Sequence, residues 1–100
     1  MLRHVLLLKL KESAGPDART HLVDGFRRLT AEIPNVAAAT FGPALGLKGS
    51  SGVPADFAVL LDFATPEDFA AYIADPRHQA FVRDVLAPVR EAGWSAQIAL

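Results

Sequence analysis

Along the chain, short segments that are apolar on two sides alternate with longer ones that are apolar on one side, and this rhythm divides the sequence into elements. Leu2 to Leu10 comes first: its even positions are Leu2, His4, Leu6, Leu8 and Leu10, its odd ones Arg3, Val5, Leu7 and Lys9. An extended strand with this pattern is apolar on both faces at its centre. Gly15 and Pro16 then open a helix, with Pro in the first turn and Asp17 near the positive end of the dipole. Leu22, Phe26, Leu29 and Ile33 recur at i, i+4, i+7 and i+11, while Asp24, Arg27, Arg28 and Glu32 take the other side. That spacing predicts an amphipathic surface helix.

Pro34 stops the helix, and Val36 to Phe41 reads as a second strand before a connection that holds Gly42, Pro43, Gly46, Gly49, Gly52 and Pro54. Phe57 to Ala64 is a third strand, with Phe57, Val59, Leu61 and Phe63 on one side and Ala58, Leu60 and Asp62 on the other. Thr65 and Pro66 form an N-cap and first-turn pair, followed by Asp68, and a short helix carries Phe69, Tyr72 and Ile73. Asp75 and Pro76 repeat the signature and start another helix in a new direction, on which His78, Phe81, Val82, Val85 and Val89 share a face. Pro88 is expected to kink its last turn. After Gly93, Trp94 to Leu100 alternates as a final strand.

The order β-α-β-β-α-β predicts an α+β fold of ferredoxin-like type, a single domain over residues 1–100 whose antiparallel sheet carries both helices on one face. Strands one and three are apolar on both faces, so a second layer must cover the side the helices leave open. The economical cover is the sheet of another subunit, and a homodimer through the sheet faces is expected.

Composition narrows the function. About half of the 100 residues are hydrophobic, but 18 of them are Ala, and there is no Cys to supplement a small core with disulfides. Ten Lys and Arg against eleven Asp and Glu, with no basic stripe, argue against nucleic acid as a partner. No apolar run approaches the roughly 20 residues that span a bilayer, and Lys9 interrupts Val5 to Leu8 with no cleavage site after it, so no signal peptide is read. A cytoplasmic protein with no membrane partner is expected. Gly42 to Gly52 lacks the spacing of a phosphate-binding loop. The three histidines are scattered and there is no thiol, so no metal is expected.

Three stretches together resemble a known family: His4-Val5-Leu6-Leu7-Leu8-Lys9-Leu10-Lys11, the Ile33-Pro34-Asn35-Val36 corner, and Phe63 to Phe81 with its Tyr72-x-x-x-Pro76-x-His78 pattern. They are similar to the Dabb family, the stress-responsive dimeric α+β barrel domains, over nearly the whole chain. The resemblance implies the fold and the dimer. It leaves function open, because the family holds both stress-induced proteins without assigned chemistry and polyketide cyclases that close a ring by aldol condensation. In the cyclases the catalytic pair is the Tyr and the last His of that pattern, which fall on Tyr72 and His78; the strand-one His is His4. Two departures stand out: Asp75 replaces a His before the Pro, and Phe26 stands where cyclases carry a further Tyr on helix one.

The residues themselves allow this chemistry. His78 sits on an apolar helix face, and an imidazole with a pKa near 6.5 suits a general base at neutral pH. Its structural alternative is a bond to a backbone carbonyl that closes the helix against the sheet. Tyr72 could donate to a carbonyl oxygen as enolate charge develops, or serve as a core Tyr. His4 lies on the even face of strand one with Leu6 and Leu8, and His21 is read as solvated. Asp75 is read as an N-cap, or as a carboxylate raising the basicity of His78.

The reading as a whole is a small apolar cavity with His78, Tyr72 and His4 as catalytic groups and Leu6, Leu8, Phe26, Val59, Ile73 and Phe81 as substrate-binding wall. Its ligand would be a small hydrophobic carbonyl compound, transformed without a cofactor by cyclisation or isomerisation. The rival reading is a non-catalytic stress-responsive or binding protein whose His and Tyr are structural. A haem-linked role is set aside because the inferred cavity is small.

Overall fold

In the computed structural model, which describes residues 1–100, β1 (Leu2–Leu10) leads through a 3-10 turn at Glu12–Ala14 into α1 (Ala18–Glu32). There follow β2 (Ala38–Pro43), β3 (Phe57–Phe63), α2 (Pro66–Ala74), α3 (Pro76–Phe81) and β4 (Arg90–Ala99), with a π-helical turn, Val82–Leu86, extending α3. The sheet order is β2-β3-β1-β4, all antiparallel. This is the expected ferredoxin-like arrangement. The molecule measures 35 × 31 × 18 Å, and its thinnest dimension has room for one sheet and one helical layer.

Alternation fixes which side chains meet the helices. Phe57, Val59, Leu61 and Phe63 of β3 are buried, as are His4, Leu8 and Leu10 of β1, against Leu22, Phe26 and Leu29 of α1. Only 15 residues are buried, and His4 is the one polar residue among them. The opposite face of the sheet carries Val5, Leu7, Ala58, Leu60, Trp94, Ala96 and Ile98 with no layer over it; the strand register places them in phase. An Arg3–Asp62 ion pair, 2.7 Å, stands at one end of that face.

Local signals explain most boundaries. The Thr65 side chain accepts from Asp68 N–H at 3.1 Å and Asp75 accepts from Arg77 N–H at 2.8 Å, each ahead of a Pro in the first turn. A cap of this kind is worth about 1 kcal/mol. The Ile33-Pro34-Asn35-Val36 corner is tied to α2 by Asn35 donating to Asp68 at 3.1 Å, and Arg77 donates to the Glu32 carbonyl at 2.7 Å, so it caps the end of α1.

Elsewhere the structure differs from the sequence reading. Helix α1 begins at Ala18, leaving Pro16 and Asp17 in a turn, and Asp17 makes no side-chain cap. Strand β2 is shifted to Ala38–Pro43; Pro43 is tolerated because β2 is an edge strand. Strand β4 starts earlier, at Arg90, and incorporates Gly93. The largest difference is after Phe81. The π turn inserts an extra residue per turn, closed by Ala87 N–H to the Val82 carbonyl at 2.8 Å, so Leu86 is buried and Val85 is 36% exposed. The helical segment ends before Pro88, which therefore kinks nothing.

Gly25 marks where α1 meets α3. A Cβ there would sit 2.7 Å from Cε2 of Phe81, whose ring packs edge-on against Phe26 at 4.8 Å. Ala would gain about 1 kcal/mol of helix propensity, but overpacking of a fixed ring costs about 1–3 kcal/mol. Gly25→Ala is expected to lower the melting temperature by about 4 °C, near what 1 kcal/mol produces in a domain of this size. An unchanged or higher melting temperature by calorimetry would show that the helices can move apart freely.

Candidate functional site

Two aromatic groups occupy the space between sheet and helices. One is built on Phe26, which contacts Phe41, Phe57 and Phe81 with ring centroids 4.8 to 5.9 Å apart. The other is a chain from His4 to Phe69 (5.0 Å), Phe63 (5.4 Å), Tyr72 (5.3 Å) and His78 (4.5 Å). The sequence-predicted trio His4, Tyr72 and His78 is therefore one cluster, assembled from β1, α2 and α3.

The break between α2 and α3 orients His78. In an unbroken helix the Ile73 carbonyl would accept from Arg77 N–H, but Asp75 takes that donor at 2.8 Å. The Ile73 carbonyl is left for the ring, and His78 Nδ1 lies 3.1 Å from it. A carbonyl can only accept, so Nδ1 carries the proton and Nε2 keeps its lone pair. The carbonyl bond foreseen for His78 is thus made by Nδ1, and it leaves Nε2 free.

His4 is held in the opposite sense. It pairs across the sheet with Gln97 of β4, whose side-chain amide nitrogen stands 2.9 Å from His4 Nδ1. With the amide donating, His4 Nδ1 accepts and Nε2 carries the proton. Burial lowers the pKa of both rings, and for His4 the charge of His78 adds to the effect. Both are neutral at pH 7. Burial also pushes the Tyr72 hydroxyl far above its usual range, so it is a donor and not a phenolate.

Tyr72 Oη, His78 Nε2 and His4 Nε2 make no hydrogen bond within the chain, yet no buried polar atom lacks a partner. All three atoms consequently reach accessible space although the Tyr72 and His4 residues are only 2% and 8% exposed. One lone pair and two donors are thus accessible within a largely apolar cluster.

The expected wall residues are distributed differently. Leu8, Phe26, Val59 and Phe81 belong to the buried core cluster, so the small apolar cavity expected to be lined by them is not formed there. Phe81 also borders a surface groove between α1 and α3, of about 340 Å³, whose other lining residues lie outside the expected wall. Ile73 is turned outward, 40% exposed; Leu6 is half-buried beside the cluster, opposite Ser95. His21 is exposed. Asp75 is engaged by Arg77, which holds its carboxyl down at about 2, and it makes no bond to His78. Gln97 and Phe69 escaped the sequence reading as site residues. Gln97 is in phase with Gly93 and Ser95 on the helix-facing side of β4, and that alternation was the available signal. Among all residues no group of acidic, His or Cys side chains has a geometry that would hold a metal ion, and no helix is long and apolar enough to cross a membrane.

Comparison with known proteins places this architecture. A dimeric ferredoxin-like protein of unknown function from Thermobifida fusca is 31% identical, with a TM-score of 0.85 over 99% of this chain and 90% of that one. A protein from Arabidopsis thaliana is 22% identical at TM-score 0.87, covering 100% and 95% of the two chains. A hydroxynitrile lyase from Passiflora edulis shares the fold at 16% identity and TM-score 0.84, covering 99% and 92%. A search of curated proteins finds no match. The Stress Responsive A/B Barrel Domain family matches residues 2–96, nearly the full length that folds into the sheet and its helices, and the chain belongs to that family, Dabb.

Proposed function

We propose that the protein is a homodimer that binds a small hydrophobic carbonyl compound and abstracts a proton next to its carbonyl group without a cofactor. The observation that carries this reading is the set of three unpartnered polar atoms at the edge of the aromatic cluster, one acceptor and two donors. In the step they suit, the C–H bond α to the carbonyl breaks and its proton passes to His78 Nε2. The bonding pair forms the enolate C=C, and the carbonyl oxygen takes up charge within reach of the Tyr72 hydroxyl. Return of the proton at another carbon gives an isomer; attack of the enolate on a second carbonyl closes a ring as that carbonyl's π pair moves to its oxygen, which takes the proton back from His78 Nε2. The hydroxynitrile lyase of like fold supports the reading to the extent that this scaffold hosts lyase chemistry in another protein.

The two-faced strands and the dimeric description of the Thermobifida relative support the dimer, with the uncovered sheet faces as the contact. The test of function is exchange in D2O: apolar methyl ketones are incubated with the protein and their α-proton signals followed by NMR. Exchange faster than in protein-free buffer is the expected result. No acceleration for any ketone, together with no ketone-induced shift in protein spectra, would overturn it and favour the non-catalytic reading. That second reading draws on the Ile73–His78 bond, which by itself explains a histidine at this position.

A further inference from the structure

We propose that Gln97 is a positioning residue that fixes His4 as a hydrogen-bond donor toward the ligand, so that the two histidines of the site hold opposite tautomers. The inference deepens the carbonyl-binding reading and rests on it for the word ligand. Its structural content stands separately.

Gln97 and His4 are 93 positions apart in sequence and directly opposite in the β1–β4 register. In an antiparallel pair this puts both side chains on the same face, here the face turned to the helices. The amide nitrogen of Gln97 has protons to give and no lone pair to offer, so at 2.9 Å it obliges His4 Nδ1 to accept. A neutral ring then has its one proton on Nε2. The groups around His4 are Phe69, packed on the ring at 5.0 Å, Gln97, and the neutral His78 farther off; no carboxylate bonds to the ring. His78 is fixed the other way by the Ile73 carbonyl. Without Gln97, His4 could carry its proton on Nδ1 instead, leaving a bare Nε2 that competes with His78 as a base. With it, the site has one base and a second donor beside Tyr72. Gln97 itself is exposed on the edge strand β4, so substituting it removes no core packing.

The experiment is a long-range 15N–1H correlation spectrum of the imidazole rings above neutral pH, in the wild type and in Gln97→Glu and Gln97→Leu. In the wild type His4 is expected with Nε2 protonated and Nδ1 bare, and His78 with the reverse. A carboxylate at position 97 accepts from Nδ1, so Gln97→Glu is expected to place a proton on His4 Nδ1 and leave His78 as it was. Gln97→Leu is expected to average the two His4 signals. A wild-type His4 that is protonated on Nδ1, or a Glu variant whose Nδ1 stays bare, would overturn the proposal. Ketone exchange is read on the same samples, with about a 10²-fold loss expected in Gln97→Glu if a donor is removed. Tautomers as expected with no ketone exchange in the wild type sink the carbonyl reading alone; active exchange with wrong tautomers sinks the role of Gln97 alone.

Discussion

His78→Ala is expected to slow ketone α-proton exchange by about 10²- to 10⁴-fold, the usual contribution of a positioned general base. Tyr72→Phe is expected to cost about 10²-fold by removing one donor to the developing oxyanion. The pH dependence carries a sign that separates this base from an exposed histidine. Burial lowers the pKa of His78 below its ordinary 6.5, so the unprotonated, competent ring persists as pH falls through 6.5. The acid limb of the rate profile is therefore expected below 6.5. A rate that already falls above 6.5, or one that is indifferent to His78→Ala, would assign the proton transfer to another group. Thermal melting of the same variant reads the rival role: a lowered melting temperature with unchanged exchange identifies a histidine that only ties α3 to the end of α2.

The second large effect concerns assembly. Leu60→Arg is expected to convert the dimer to monomer at micromolar concentration in sedimentation velocity, with association weakened by at least about 10²-fold. Leu60 lies on the uncovered face of β3, in register with Val5 and Thr40, and is half-buried without any helix touching it. In a twofold interface each substitution is introduced twice on one self-complementary patch. The helix-side residues Phe57, Val59, Leu61 and Phe63 alternate with it and are untouched, so the circular dichroism spectrum should be retained. Val85→Arg, on the α1–α3 groove, serves as the comparison and is expected to leave the dimer intact. Dissociation by Val85→Arg and not by Leu60→Arg would move the interface to the helices.

The fold was legible because its determinants are local. Alternation in β1 and β3, the apolar row from Leu22 to Ile33, and the Thr65-Pro66 and Asp75-Pro76 pairs each act within a few residues. What escaped needed information from elsewhere in the chain. The π turn, which exchanges Val85 for Leu86 as the inward residue, is invisible to a 3.6-residue period. Periodicity also reports only that a side chain points inward. It could not say that Leu8, Phe26, Val59 and Phe81 fill the core while His4, Tyr72 and His78 keep a free atom at its margin. Gln97 becomes visible only once β4 is set beside β1.

The discontinuity at Asp75 and Pro76 acts on the site from outside it. Neither residue belongs to the trio with free polar atoms, yet together they release the Ile73 carbonyl that dictates which nitrogen of His78 is basic. A chain that kept Tyr72 and His78 but fused the two helices would return the Ile73 carbonyl to Arg77 N–H and lose the contact that holds the His78 proton on Nδ1. On the proposed reading, the proton-accepting capacity of the site would then change through backbone geometry at Asp75 and Pro76 alone, with no side chain of the trio replaced.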